Sequence, residues 1–171
     1  MINFKTNFVE RFYNLNQEIK IYDLDGTIID SSHRIRFDEN GNLDLEHWKR
    51  NSTKEQIFQD DLLPLYWQLV QDYKSGHIVV LCTARNFGKW DWEYLHTMGI
   101  YYDYVITRPD QNTTADDVLK SQTTSWLFNL KPFRDMKKTF YDDNIRNLYA
   151  LARKGADVVN ARTWNERFST I

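Results

Sequence analysis

The chain has 171 residues, 42% hydrophobic and 27% charged, with a net charge of −2 at pH 7. That length suits one domain with a real core, and the charge excludes bulk electrostatic binding of nucleic acid while leaving room for a local basic groove. Its single cysteine, Cys82, cannot close an intramolecular disulfide, and the charged start of the chain shows neither a signal peptide nor a membrane span. A soluble, intracellular, cytoplasmic protein is expected, with no protein partner evident and one domain over residues 1–171.

After a polar N-terminal stretch, Ile19 to Tyr22 is a short β-leaning run that ends at Asp23. A turn-rich segment follows, and Asp38-Glu-Asn-Gly-Asn42 is its clearest reversal signal. The spacing predicts a helix over Thr53 to Gly76, with Tyr66, Leu69, Val70 and Tyr73 at i, i+3, i+4 and i+7. Pro64 fits such a helix only in a first turn, with Asp60 or Asp61 as its cap. Ile78 to Cys82 is a continuous apolar run of strand length, as in a strand covered on both faces of a parallel sheet.

A helix carrying Trp92 and Leu95 on one face ends at Gly99, and Tyr104 to Thr107 reads as the next strand. Ala115 to about Asn129 is predicted helical, with Val118, Leu119, Gln122 and Trp126 spaced along it. Thr139 to Tyr141 is a fourth strand. Ile145, Leu148, Tyr149 and Ala152 mark a further helix, closed by Gly155, and Asp157 to Asn160 suits a fifth strand. Strands alternating with helices in this way imply crossover connections and a parallel α/β sheet.

In such sheets ligands bind beyond the carboxyl ends of the strands. The chemically suggestive residues fall there: Asp23 and Asp25 after the first strand, Thr83 and Arg85 after the second, Arg108 after the third, Asp142 and Asp143 after the fourth. Asp23-Leu24-Asp25-Gly26-Thr27 places two carboxylates on a turn that Gly26 lets close tightly. Such a pair suits a hard cation with oxygen ligands. A calcium loop would need a Glu at position twelve, where this chain has Arg34. His33, His47, His77 and His96 lack zinc-ligand spacing.

Each residue also has a plainer role. Thr83 can simply end a strand, Lys120 can be a solvated helix residue, and Asp142 or Asp143 can cap the helix that follows. Cys82 reads as buried packing.

Asp23-Leu-Asp-Gly-Thr27, the Thr83 that follows Ile78-Val-Val-Leu-Cys82, Lys120, and Phe140-Tyr-Asp-Asp-Asn144 together resemble the four motifs of the haloacid-dehalogenase-like phosphatases, in order and spacing. The resemblance implies a three-layer, Rossmann-like parallel sheet with helices on both faces, and a small cap inserted after the first strand at about residues 31–60. It implies a Mg²⁺-dependent phosphomonoesterase in which Asp23 is the nucleophile and becomes an aspartyl-phosphate. Asp25 would serve as general acid and then base. Thr83 would bind a phosphoryl oxygen and Lys120 would neutralise charge. Asp23, the backbone of Asp25, Asp142 and Asp143 would hold the metal.

Within that superfamily Thr83-Ala-Arg85, Arg108-Pro-Asp110 and Asp116-Asp-Val-Leu-Lys120 resemble the 3′-phosphatase domain of polynucleotide kinase-phosphatases. This implies a substrate with a 3′-phosphate on a DNA or RNA end, bound by Arg85, Arg108 and either Arg34 or Arg36. Asp116, one turn before Lys120, can hold its ammonium at i, i+4. The kinase half, with its phosphate loop, is absent from this sequence, and Asp110-Gln-Asn-Thr-Thr114 is poor in basic residues. A 5′- or 3′-nucleotidase using the same chemistry is the alternative, and a catalytically silent binding module is a third reading. Trp48 in the insert suits either a small core or a base-stacking surface.

Overall fold

The computed structural model describes residues 2–3, 16–41 and 43–169. The rest of the N-terminal stretch, and Asn42 of the predicted reversal, lie outside the described residues. Beside Asn42 the turn is formed: Gly41 N–H donates to the Asp38 carbonyl at 3.0 Å, and Gly41 has φ +78°.

Strands β1 (Ile2–Asn3), β2 (Ile19–Tyr22), β5 (Ile78–Cys82), β6 (Tyr104–Ile106), β7 (Lys138–Asp142) and β8 (Asp157–Asn160) form a single sheet in the order β1-β6-β5-β2-β7-β8. All pairings are parallel except the edge pair β1–β6. β2 is central, with Tyr22 beside Leu81 on β5 and beside Tyr141 on β7.

The sheet is apolar on both sides because its strands alternate between two cores. Tyr22, Val79, Leu81 and Tyr141 face helices α3 (Leu65–Lys74), α4 (Lys89–Thr97) and α7 (Ala161–Phe168). Ile19, Ile21, Val80, Cys82 and Phe140 face α5 (Asp116–Asn129) and α6 (Ile145–Ala152). This is the three-layer α/β architecture with helices on both faces. Among the described residues, no helix is long and apolar enough to cross a membrane.

Between β2 and β5 the chain departs from the predicted continuous helix over 53–76. Strand β3 (Ile29–Asp30) pairs antiparallel with β4 (Asp61–Leu62), so residues 31–60 leave and return on a two-stranded ribbon. Within that excursion lie a 3₁₀ turn at Ser32–Arg34, α1 (Leu45–Arg50) and α2 (Lys54–Ile57). Helix stops at Ile57 and resumes at Leu65, with the ribbon strand between. Neither Asp60 nor Asp61 caps α3; its first N–H groups include Leu65 N–H, which donates to Asn165 Oδ1 at 2.8 Å. Asn165 Nδ2 in turn reaches the Thr27 carbonyl at 2.9 Å, so α7 ties the start of α3 to the Asp-rich turn.

Two helix faces also differ from expectation. On α5 Val118 and Trp126 are exposed, and Leu119, Lys120, Thr124, Leu127 and Phe128 are buried. On α6 Ile145 and Tyr149 are exposed, and Asn147, Leu148, Ala150 and Leu151 are buried. In both helices a polar residue occupies the inner face, for a reason that lies at the end of the sheet.

Candidate active site

The C-terminal ends of β2, β5 and β7 meet the start of α5 at one sheet edge. Asp23 follows β2 and is 6% exposed; Asp142, the last residue of β7, is fully buried. Lys120 on α5 lies between them, its Nζ 2.7 Å from Asp23 Oδ1 and 2.7 Å from Asp142 Oδ2. A lysine is buried here because two carboxylates from different strands receive its charge. Although burial alone would lower its pKa, Asp23 and Asp142 together raise it.

Asp142 is held further by Asn147 Nδ2, which reaches its two oxygens at 3.1 and 3.0 Å, and by the Asn144 N–H at 2.8 Å. The cap of α6 is Asn144, accepting from the Arg146 N–H, rather than Asp142 or Asp143. Asn147 was missed by the sequence reading; a polar residue at i+5 from Asp142 on the inner side of an amphipathic helix was its signal.

Asp143 completes an acidic group. One oxygen each from Asp23, Asp142 and Asp143 lie within 4.8 Å of one another. Burial pushes the Asp23 carboxyl well above the ordinary carboxylate range; Lys120 opposes this, and Asp142 and Asp25 add to it. Asp143 is raised too, by burial and then by Asp142. Three carboxylates against one ammonium are a hard-oxygen donor set with charge left to neutralise, which fits a divalent cation such as Mg²⁺. Arg162 on α7 stands 3.8 Å from Asp143 Oδ2, at the rim of a depression of about 400 Å³ lined also by Asn144, Ile145 and Asn160.

Asp25 faces a different set of partners. Its carboxylate receives Arg85 Nε at 3.0 Å, a second contact from Arg85 Nη2, and Ser31 Oγ at 2.6 Å. Burial would raise its pKa, but Arg85, with Ser31 and Arg34, outweighs burial and holds it below the usual value. Arg85 also binds Asp91 at 3.0 Å and Asp60 at 3.3 Å. Thr83 is buried at the same sheet edge, and its Oγ1 accepts the Arg85 N–H at 3.0 Å. Cys82, immediately before it, is fully buried, and burial pushes its thiol up to about 12.

Arg34 and Arg108 are each held by protein partners. Arg34 is 1% exposed and grips Asp60 with Nε at 2.8 Å and Nη2 at 2.7 Å. Trp48, half-buried, lies over both arginines of this cluster, 4.1 Å from the Arg34 guanidinium carbon and 5.5 Å from that of Arg85. Arg108 closes its own loop, donating to the carbonyls of Ala84, Asn112 and Thr114 and to Asp116 Oδ1 at 2.5 Å. Asp116 therefore pairs with Arg108 and not, as the i, i+4 spacing suggests, with Lys120. The structure thus gathers Asp23, Lys120, Asp142 and Asp143 on one side and Asp25, Arg85, Asp60 and Arg34 on the other, and keeps Arg108 with Asp116 in a clasped loop.

Comparison with known proteins fits this arrangement. A curated relative, the 5′-deoxynucleotidase of Escherichia phage T5, is 41% identical over 100 residues, which are 56% of this chain and 41% of that protein. The match thus spans less than half the length of the curated relative. Among solved structures, a chain of the Pnkp1/Rnl/Hen1 RNA repair complex superposes with TM-score 0.60 at 18% identity, covering 90% of this chain and 45% of that one. A haloacid dehalogenase-like hydrolase from Streptococcus pneumoniae gives TM-score 0.58 at 13% identity, over 84% and 83% of the two chains. These likenesses carry the fold, which is haloacid-dehalogenase-like. The family described as Bacteriophage T5 5′-deoxynucleotidase matches residues 9–170, nearly the whole chain, and the protein belongs to it.

Proposed function

We propose that the protein is a Mg²⁺-dependent phosphomonoesterase that hydrolyses deoxynucleoside 5′-monophosphates through an aspartyl-phosphate on Asp23. The observation that carries this reading is the bridging of Asp23 and Asp142 by Lys120 beside Asp143, with Asp25 held apart by Arg85. A carboxylate nucleophile beside a cation site and a second carboxylate outside that site is the division of labour that phosphoryl transfer to Asp requires. The metal would be held by Asp23, Asp142 or Asp143 and the carbonyl of Asp25, and when bound it would cancel repulsion between Asp23 and the phosphate dianion.

An Asp23 oxygen attacks phosphorus. The P–O bond to the nucleoside breaks as the new O–P bond forms, and Asp25 gives a proton to the departing oxygen. The Thr83 hydroxyl donates a hydrogen bond to a phosphoryl oxygen, and Lys120 balances charge as it transfers from Asp23. Asp25, now a carboxylate, takes a proton from water whose oxygen attacks the same phosphorus. The bond to Asp23 breaks, phosphate leaves, and both carboxyl groups are restored. The Arg85 pairing favours the ionised form of Asp25 that the second step needs, and an arriving phosphate dianion raises its proton affinity for the first.

The working unit is one domain in which residues 31–60 form a small cap on the Asp25 side, where the leaving group must lie. The resemblance to 3′-phosphatase domains favours a second reading, removal of 3′-phosphates from DNA or RNA ends, supported by the superposition on the Pnkp1-containing complex. In that reading Arg34, Arg85, Arg108 and Asp116 would line the path of the polymer; the engagement of Arg108 with its own loop gives the mononucleotide reading first place. Rates with Mg²⁺ on deoxynucleoside 5′-monophosphates, 3′-monophosphates and a 3′-phosphorylated oligonucleotide decide between them. Turnover of the oligonucleotide alone would reverse the order, and no turnover of any, nor of an aryl phosphate, would leave a binding module.

A further inference from the structure

We propose that Asp60 is a positioning residue for the acid–base step, holding Arg34 and Arg85 so that Arg85 keeps the Asp25 carboxylate aimed at the leaving oxygen; this rests on the reading of Asp25 given above. Asp60 is the last residue of the excursion before β4 and is 3% exposed. Its Oδ1 accepts from Arg34 Nε at 2.8 Å, with His33 Nε2 at 3.7 Å. Its Oδ2 accepts from Arg34 Nη2 at 2.7 Å and from Arg85 Nη2 at 3.3 Å. Its carbonyl takes the Tyr94 hydroxyl at 2.7 Å, which fixes the backbone against α4.

Arg34 and Arg85 are both buried, and both lie under Trp48. Guanidinium groups do not give up their charge, so two buried side by side repel unless an anion stands between them. Asp60 is that anion. Arg85 divides its donors among Asp25, Asp91 and Asp60, and the direction of its fork is set by all three. Arg34 Nε and Nη2 both end on Asp60, and its Nη1, among the described residues, has no hydrogen-bond partner. With Asp60 neutral, the Arg34 cation loses its counter-charge and moves out or pushes on Arg85, and Arg85 turns relative to Asp25. The cap and the acid–base group are thereby one mechanical unit.

The consequence depends on the leaving group. A deoxynucleoside departs as an alkoxide and needs its proton in the transition state; a nitrophenolate is stable without one. Asp60→Asn is therefore expected to lower kcat/KM, which reads only the steps up to loss of the leaving group, by roughly 10²-fold on a deoxynucleoside 5′-monophosphate, within the range of acid–base contributions, and by less than about tenfold on p-nitrophenyl phosphate. In an Asp25→Asn background, the same change should add no more than about threefold on the nucleotide, because both act through one step.

If Asp60→Asn does not fold, the pair Arg34→Gln/Asp60→Asn is measured instead; it removes both ends of the bidentate bond and still strips Arg85 of its Asp60 contact, so a selective loss of kcat/KM on the nucleotide is again expected. Equal losses of kcat/KM on the two substrates, or full additivity with Asp25→Asn, would overturn the role of Asp60 and leave the phosphatase reading standing. Wild-type protein that turns over neither substrate overturns that reading and this inference with it.

Discussion

A Cβ atom on Gly26 would stand 2.7 Å from Asp143 Oδ2, closer than any side chain tolerates. Gly26 also has φ +71°, so the turn after Asp25 needs glycine twice, for its backbone and for the room it gives a carboxylate from another strand. Gly26→Ala should destabilise the fold by about 1–2 kcal/mol through the left-handed backbone alone. It should also displace Asp143 and weaken the proposed Mg²⁺ site. Thermal unfolding with and without Mg²⁺ checks both: a variant that gains as much stability from the ion as the wild type would detach Asp143 from metal binding.

Lys120→Met should abolish turnover and cost about 3–5 kcal/mol at neutral pH, the usual result of leaving a buried charge without its partner. The loss should shrink in acid. Asp23 already has a raised pKa, and without the ammonium it rises further. A carboxyl whose folded pKa is raised contributes stability that is present below its unfolded value, near 4 by ordinary behaviour, and lost as pH climbs through the folded value. Urea unfolding at pH 5 and pH 7.5 should bring the variant closer to wild type at pH 5. A gap that does not change with pH would show that charge is not what Lys120 supplies.

Asp23→Asn should remove turnover of every substrate, since the attacking carboxylate is gone. Asp25→Asn should lower kcat/KM on nucleotides by roughly 10²–10⁴-fold and spare kcat/KM on aryl phosphates more, because that ratio ends at loss of the leaving group. A rapidly quenched reaction of the Asp25 variant with p-nitrophenyl phosphate should show phosphate on the protein, stable long enough to isolate, because the second step lacks its base. Substantial nucleotide hydrolysis by the Asp23 variant would remove the covalent mechanism.

Cys82 should be inert to a thiol reagent at pH 8 in the native protein and react fully in denaturant. The side chain is buried and its thiol is pushed up to about 12, so little thiolate exists to react. Fast native labelling would mean that β5 opens at its end.

Sequence alone located the sheet because its strands carry their own signals. Ile78 to Cys82 is apolar throughout since both faces are covered, and Asp23 and Asp142 stand at strand ends where the apolar run stops. Interactions across the chain were not legible. The predicted helix over 53–76 breaks because residues 61–62 pair with 29–30, and the start of α3 is satisfied by Asn165, one hundred residues away. Likewise Val118 and Trp126 look like an inner face until Lys120 is seen to be drawn inward by Asp23 and Asp142. Arg34 reads as a candidate substrate-binding cation, and nothing local to it announces that Asp60 returns beside it.

The β3–β4 ribbon gives the molecule a handle. Because the excursion departs and rejoins at two adjacent short strands, its length can change without shifting the register of the six-stranded sheet. Each doubling of such a loop adds only about 0.6 kcal/mol of closure entropy. Grafting a different excursion onto Asp30 and Asp61 is thus a route to altering what the proposed site accepts, provided the graft restores the hydrogen bond of Ser31 to Asp25 and the anion that Asp60 places beside Arg85.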